Sequence, residues 1–163
     1  MLGRWAAAVA GALVVVVAGV VGVLLVGLRR KYPPVVDTVR RFARDVGNPR
    51  LLKTAGGPGA NAAILRHVGR TSGKPYQTPV TAVAAADGFV IALPYGPTTD
   101  WVKNLLAAGS ATLVHDGQTH LVDHPEVVPL AQAVHDFSPG ERRALRMFGV
   151  QECLHLHAAA STT

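Results

Sequence analysis

The chain has 163 residues, which is enough for one compact domain, and its single cysteine excludes an internal disulfide. Its net charge of +6 is confined to the N-terminal third. Residues 1–53 carry nine Lys and Arg against two Asp and Glu, whereas residues 54–163 carry seven against eight. We therefore expect no nucleic-acid partner, and we expect Cys153 to be a small buried apolar residue.

An uncharged apolar run dominates the N-terminus. It extends from Trp5 to Leu28 and, as a helix, would measure roughly 36 Å, enough to cross a bilayer. A cleaved signal peptide is the competing interpretation, but the run is longer than the apolar core of such peptides and is followed by three cations. The sequence thus predicts a single N-terminal transmembrane helix within residues 1–31. The flanking cations predict a single-pass cell-membrane protein with a cytoplasmic C-terminal domain.

Residues 32–61 form a basic juxtamembrane segment and loop. Its cations are Arg40, Arg41, Arg44, Arg50 and Lys53. Cations next to a membrane are attracted to anionic headgroups, so the segment predicts contacts with membrane lipids. The part from Val35 to Val46 has the spacing of a short amphipathic helix, which either lies along the membrane surface or packs on the domain as a connecting helix.

Residues 62–157 have the pattern of an antiparallel domain. Ala62 to Val68 is short and apolar, and two further pairs of apolar runs meet at Asp87-Gly88 and Asp116-Gly117, which favour hairpin turns. Val150 to His157 alternates as a closing strand. Five or six short strands with few helices predict a mainly β (α+β) fold, a small antiparallel barrel, followed by a disordered tail over residues 158–163.

Three helices are expected in this domain. A cap at Asp100 or the two threonines before it, an apolar stripe beginning at Trp101 and a stop at Gly109 predict the first helix. Pro125 to Phe137 and Pro139 to Phe148 are predicted to form the other two.

The polar stretch HVGRTSGKPYQTPV, residues 67–80, interrupts the apolar pattern. It does not fit a nucleotide-triphosphate loop, because three residues rather than four separate Gly69 from Gly73, and Pro75 stands after Lys74 where Ser or Thr is required. Taken alone, the stretch is also compatible with an ordinary polar turn.

Three segments in this order resemble the deazaflavin-dependent nitroreductase family: HVGRTSGKPYQTPV, DGFVIALPYGPTTDWVKNLLAAGSATLV and GQTHLVDHPEVVP. The most distinctive elements are G-R-x-S-G-x-x-x-x-T-P and D-W-V-x-N-L, and the match covers Ala62 to Val128. The resemblance implies a split β-barrel of the flavin-binding type that binds coenzyme F420, an 8-hydroxy-5-deazaflavin. The related barrels leave FMN as the alternative cofactor, and a homodimer is a further expectation.

The resemblance also implies which residues contact the cofactor. They form a loop at the phosphate and anionic tail, the following strand, a strand end beneath the ring and a helix start above it. In chain order they are Arg70, Thr71, Ser72, Gly73, Lys74, Tyr76, Gln77, Thr78, Pro79, Val80, Leu93, Pro94, Tyr95, Gly96, Asp100, Trp101, Val102, Lys103 and Asn104. A phosphodiester and a glutamate tail require cationic and amide donors, which this loop offers. Trp101 fits either a ring contact or the core, and Tyr95 is the candidate for substrate contact.

Hydride transfer needs no dedicated acid, base or nucleophile, because the cofactor carries the chemistry. The histidines show no zinc spacing, so no metal site is expected. In the family that the chain resembles, members that reduce nitroimidazoles shape the substrate pocket with tyrosines in the C-terminal third. Residues 125–163 here contain no Tyr or Trp, so nitroimidazole reduction is not carried over. The predicted function is a membrane-anchored oxidoreductase that passes a hydride from reduced F420 to a quinone-like or other hydrophobic acceptor. The alternatives are an FMN-dependent reductase and a non-catalytic, membrane-tethered split barrel that binds the cofactor or a lipid.

Overall fold

The computed structural model describes residues 17–159. Helix α1 contains residues 17–29, and α2 (Pro33–Phe42) continues through a π-helical turn (Ala43–Gly47) into α3 (Asn48–Leu51). The remaining elements are β1 (Ala63–Val68), β2 (Pro75–Val80), β3 (Ala82–Ala85), β4 (Gly88–Ala92), α4 (Asp100–Ala108), β5 (Ser110–His115), β6 (Gln118–Pro129), α5 (Leu130–Ala133), α6 (Pro139–Met147) and β7 (Glu152–Ala158).

The strands form one seven-stranded antiparallel sheet in the order β2-β1-β5-β6-β7-β4-β3. The two edge strands, β2 and β3, are separated in the chain only by Thr81. A flat sheet of this size would place its edges roughly 29 Å apart, whereas that link spans at most about 7 Å. The sheet must therefore curl until its edges meet at Thr81. The predicted antiparallel, mainly β barrel is confirmed.

The barrel interior holds the main apolar core, and α4 contributes to it. Leu65 of β1, Leu113 of β5 and Leu156 of β7 are fully buried together with Val102 and Leu105 of α4. A second cluster lies on the other face of β7, around Cys153, and α5 helps to cover it. Packing of α4 into the barrel core fixes the position of its first turn, which lies at the site described below.

The predicted transmembrane helix is wrong. Residues 5–16 of the apolar run lie outside the described part of the chain, and among residues 17–159 no helix combines the length and apolar character that a membrane crossing requires. The described part of α1 measures roughly 20 Å. Its end packs on the domain, since Leu28 is buried and the nearby Lys31 Nζ donates to the Pro94 carbonyl at 2.7 Å. The predicted single-pass localisation is wrong with it.

The predicted helix over Pro125–Phe137 is wrong in its first part, because β6 continues to Pro129 before the short α5 begins. A β-bulge explains the difference: the register with β7 shifts here, and His124 has φ 45°. Pro125, which lacks an N–H donor, is tolerated in a strand at such a bulge.

The other predicted helices and strands are present, and β7 continues through Ala158, the first residue of the predicted disordered tail, whose residues 160–163 lie outside the described part of the chain. Asp116 and Gly117 both have positive φ, as the predicted hairpin turn requires. Helix α4 ends at Gly109, whose φ is 72°. Helix α6 begins with a complete capping box between Ser138 and Glu141.

Candidate functional site

A cleft of about 940 Å³ lies between the barrel and the segment from α2 to α3. The barrel side consists of the loop after β1, strand β2 and the first turn of α4. The opposite side is helical, from Asp37 to Leu52. Two smaller cavities adjoin the cleft, one of about 320 Å³ and one of about 390 Å³.

The structure brings most of the predicted cofactor residues to this cleft. Those that line it are Arg70, Thr71, Ser72, Tyr76, Gln77, Thr78, Pro79, Tyr95, Asp100, Trp101 and Asn104. Leu93 and Gly96 line the cavity of about 320 Å³, and Val80 and Pro94 line that of about 390 Å³. The remaining four, Gly73, Lys74, Val102 and Lys103, lie outside these three cavities. Val102 is a core residue of the barrel, and the other three are exposed.

Arg70 joins the loop after β1 to α4. Its Nη2 lies 3.1 Å from Asp100 Oδ1, and its Nη1 donates to Asn104 Oδ1 at 2.8 Å. The same Asn104 oxygen accepts from the Arg70 backbone N–H at 3.2 Å. Asn104 is buried, so its side-chain oxygen needs protein partners. Arg70 supplies two, one of them a charge-assisted bond from the guanidinium group. Three of the predicted residues therefore hold one another in position, a role that the resemblance did not imply.

Thr99, directly before α4, lines the cleft and carries an unsatisfied polar atom. Thr99 is the N-cap residue, yet its side chain forms no capping hydrogen bond. Its Oγ1 is buried and has no hydrogen-bond partner among the described residues. The first amides of a helix also lack intrahelical acceptors. This turn can therefore bind acceptor oxygens of a ligand.

His67 is a cleft residue that the sequence interpretation missed. Its Nε2 lies 3.1 Å from Thr78 Oγ1, whereas its Nδ1 is buried without a partner among the described residues. Burial lowers the pKa of His67, so the ring is held neutral. Strand register could have identified it. His67 pairs with Tyr76, a predicted cofactor residue on β2, and its ring stacks on the Tyr76 ring.

Three arginines from the N-terminal segment line the other side of the cleft: Arg40, Arg41 and Arg44. The sequence interpretation assigned them to lipid headgroups. Together with Arg70 they give four guanidinium groups, against the two lining carboxylates of Asp37 and Asp100 and that of Asp45, which lies 2.8 Å from Arg44 Nε, so the group as a whole has a formal charge of +1. The i, i+4 spacing of Arg40, Arg44 and Asn48 was the signal that places them on one helical face.

Tyr95 lies where the three cavities meet and lines each of them. The cavity of about 390 Å³ is mostly apolar, with Phe137 and Phe148 in its wall, and it shares Tyr95 and Trp101 with the cleft. Burial raises the pKa of Tyr95, so its hydroxyl stays protonated and can donate a hydrogen bond. Trp101 packs on the barrel core and also lines these two cavities, so its core role is confirmed, whereas its contact with a cofactor ring stays a prediction.

No family model and no curated protein matches the chain. Among solved structures it is similar to HutZ, the heme storage protein from Vibrio cholerae, with 13% identity and a TM-score of 0.47 over 69% of this chain and 90% of that one. It is also similar to a structure described as an F420 reductase, with 9% identity and a TM-score of 0.45 over 66% and 92%.

A third similar structure is a protein from Clostridium acetobutylicum related to general stress protein 26 of B. subtilis, in the pyridoxinephosphate oxidase family. It has 14% identity and a TM-score of 0.44 over 72% of this chain and 84% of that one. Likenesses this distant assign neither a family nor an activity to the chain.

Proposed function

We propose that the chain is an oxidoreductase that binds the deazaflavin coenzyme F420 in the cationic cleft and passes a hydride to a hydrophobic, quinone-like acceptor. The observation that carries the proposal is the wall shared by Pro79, Tyr95 and Trp101, which separates a large arginine-lined cleft from an apolar cavity. A reaction between a polar, anionic cofactor and an apolar acceptor requires two such compartments in contact.

The residues present fit the cofactor. Its phosphodiester and glutamate tail are anionic, and the arginines of the cleft supply guanidinium groups of the kind that bind such oxygens. Thr99 and His67 line the cleft, and Thr99 Oγ1 and His67 Nδ1 are buried without a hydrogen-bond partner among the described residues. A buried polar atom without a partner costs about 1–3 kcal/mol, and a ligand that supplies the missing bond removes this cost.

When bound, the deazaflavin supplies the hydride chemistry. The tasks left to the chain are to bind, to orient and to exclude water. Arg70, Asp100 and Asn104 hold the loop against α4, which keeps the floor of the cleft rigid. Trp101 shields the boundary between the compartments, and the protonated hydroxyl of Tyr95 donates a hydrogen bond to a carbonyl oxygen of the acceptor.

The apolar cavity supports a hydrophobic acceptor. Its walls come from the end of α1, from β4 and from α6, with Leu28, Ile91 and Leu145 as representative side chains. A flat quinone ring buried there gains roughly 25 cal/mol for each Å² of apolar surface removed from water. The cavity alone favours a hydrophobic acceptor, without a bilayer.

Oxidation of reduced deazaflavin by a short-chain quinone, followed in the visible spectrum with the full chain, tests the proposal. We expect turnover, and we expect Tyr95→Phe to lower kcat/KM for the quinone about tenfold while leaving the deazaflavin Kd unchanged. Deazaflavin binding without turnover on any quinone would instead support the non-catalytic alternative. Turnover with reduced FMN alone would support the FMN-dependent one.

A further inference from the structure

A cluster of two histidines and an aspartate lies on β7 and the β3–β4 turn, outside the three cavities described above. His155 Nε2 is 2.9 Å from Asp87 Oδ1, and His157 Nδ1 is 3.2 Å from Asp87 Oδ2. One ligand atom from each residue lies within 4.8 Å of the other two. The cluster is accessible, since His155 and His157 are partly exposed and Asp87 is exposed.

These distances match those of a metal site. Around a tetrahedral zinc ion with ligands at about 2.0–2.1 Å, neighbouring ligand atoms are roughly 3.3–3.4 Å apart. The two separations from Asp87, one to each of its carboxylate oxygens, are close to this value, and one ligand atom from each of the three residues lies within 4.8 Å of the other two. Two imidazoles and one carboxylate form a donor set that suits zinc and related divalent transition metals.

The fold builds this cluster in a defined way. Residues i and i+2 of a strand point to the same face, so Leu154 and Leu156 fill the barrel core while His155 and His157 point to the opposite face. Asp87 is held beside them because its carbonyl accepts from the Ala158 N–H at 2.9 Å.

Close packing at the next residue reinforces this placement. A Cβ at Gly88 would collide with the carbonyl oxygen of Leu156, so the glycine allows the start of β4 to approach β7 closely. The geometry of the three ligands thus follows from backbone pairing and does not depend on a flexible loop.

Further ligands stand around the cluster. Glu126 is the direct cross-strand partner of His155 on β6, and Asp123 is that of His157, so these carboxylates lie on the same face as the histidines. The β-bulge places His124 nearby, with its ring centroid 6.4 Å from that of His157 and its Nδ1 3.0 Å from Asp123 Oδ1. A carboxylate on one ring nitrogen leaves the other nitrogen free to bind a metal, the arrangement typical of histidine ligands.

We propose that Asp87, His155 and His157 bind a divalent transition metal ion of the zinc type, and that the bound ion clips the β3–β4 turn to β7. Three protein ligands leave one tetrahedral position for water or for a neighbouring carboxylate or imidazole. Asp87, His155 and His157 lie outside the cofactor cleft, so metal binding at this site does not depend on the proposed function. Its role is to stabilise the fold, because an ion that binds only the folded chain raises the free energy of unfolding by mass action.

Calorimetric titration of the tag-free, chelator-treated full chain with Zn²⁺ tests the proposal, in parallel with thermal unfolding. We expect one ion per chain and a Tm that rises with Zn²⁺ concentration. His157→Gln and Asp87→Asn should each weaken Zn²⁺ binding at least about tenfold and abolish the rise in Tm. His135→Gln, which changes an exposed histidine outside the cluster, is the matched control and should behave like the unaltered chain.

Thermal unfolding of each variant is first measured without metal. His157→Gln and Asp87→Asn should then have a Tm close to that of the unaltered chain, since both change accessible side chains. The proposal is overturned if the unaltered chain shows no saturable Zn²⁺ binding. It is equally overturned if His157→Gln and Asp87→Asn bind Zn²⁺ as tightly as His135→Gln does.

Discussion

The guanidinium group of Arg70 lies 3.1 Å from the carboxylate of Asp100, Nη2 to Oδ1, and so joins the loop after β1 to the first turn of α4. Asp100 is well exposed, so the ion pair alone contributes little to stability. The buried Asn104, which accepts from both the backbone and the side chain of Arg70, is the stronger part of the connection. The shape of the cleft therefore depends on one amide oxygen of α4.

Asn104→Ala is expected to lower the free energy of unfolding by about 1–3 kcal/mol, because two donors of Arg70 lose a buried acceptor. Chemical denaturation measures this difference. Lys103→Ala changes the exposed neighbouring residue of the same helix and should leave the free energy of unfolding within about 0.5 kcal/mol of the starting value. Equal stabilities for the two variants would show that the connection is not stabilising.

Thr99→Val and Ser138→Ala should differ in their effects on stability, although both residues are helix N-caps. Among residues 17–159, Thr99 forms no capping hydrogen bond and its hydroxyl oxygen has no partner, so its loss should leave the Tm unchanged or raise it. Ser138 accepts from the Glu141 N–H, and its loss should cost about 0.5–2 kcal/mol. Thr99→Val should nevertheless weaken deazaflavin binding. A Tm that falls equally in both variants would contradict the assignment of the Thr99 hydroxyl to a ligand.

Removing the positive charges of Arg40 and Arg44 together, each to Gln, should weaken deazaflavin binding about tenfold at low salt and by less at high salt. Arg50→Gln is the control, since Arg50 belongs to the same helical segment but lies outside the cleft. Titrations at two ionic strengths measure the effect. If Arg50→Gln weakened binding as much as the double variant, a general charge effect would replace the specific contact.

Much of the barrel could be predicted from local chemistry. The pair Asp116-Gly117 adopts the positive φ values that its residue types favour, and Ser138 with Glu141 forms the capping box that its spacing allows. Local patterns failed where pairing across the sheet decided the structure. Pro125 has the sequence context of a helix start, but the bulge at His124 allows β6 to continue through it.

The sequence predicts the candidate site only on the barrel side, from the segments that carry the family resemblance. Arg40 and Arg44 reach the cleft because the segment from α2 to α3 folds back over β2, and helical spacing alone does not specify its partner. The same applies to His155 and Asp87, which are 68 residues apart in the chain and meet through strand pairing. Length and hydropathy predict that the N-terminal apolar run spans a membrane. Neither property reveals that Leu28 is packed against the domain.

Cys153 should make stability depend on pH in the alkaline range. Burial, together with the charge of Asp136, raises the pKa of the Cys153 thiol from its ordinary 9.0 to about 11. Above pH 9 the unfolded chain loses this proton while the folded chain keeps it, so the contribution is complete below pH 9 and is lost as the pH rises to 11. Between pH 8 and pH 10 the loss is about 1.4 kcal/mol.

Chemical denaturation of the unaltered chain and of Cys153→Ala at both pH values isolates this loss, because the Tyr and Lys titrations common to both chains cancel. The free energy of unfolding should fall more steeply with pH in the unaltered chain. Parallel pH dependences would contradict the raised pKa.

The most direct test of the central claim is a fluorescence titration of the full chain with oxidised deazaflavin F420 and, in parallel, with FMN. We predict saturable deazaflavin binding that is tighter than FMN binding and is weakened at least about tenfold by Arg70→Ala. Arg66→Ala, an exposed arginine of β1 outside the cleft, should bind as the unaltered chain does. Absence of saturable deazaflavin binding, or binding that Arg70→Ala leaves unchanged, would contradict the assignment of the cleft to this cofactor.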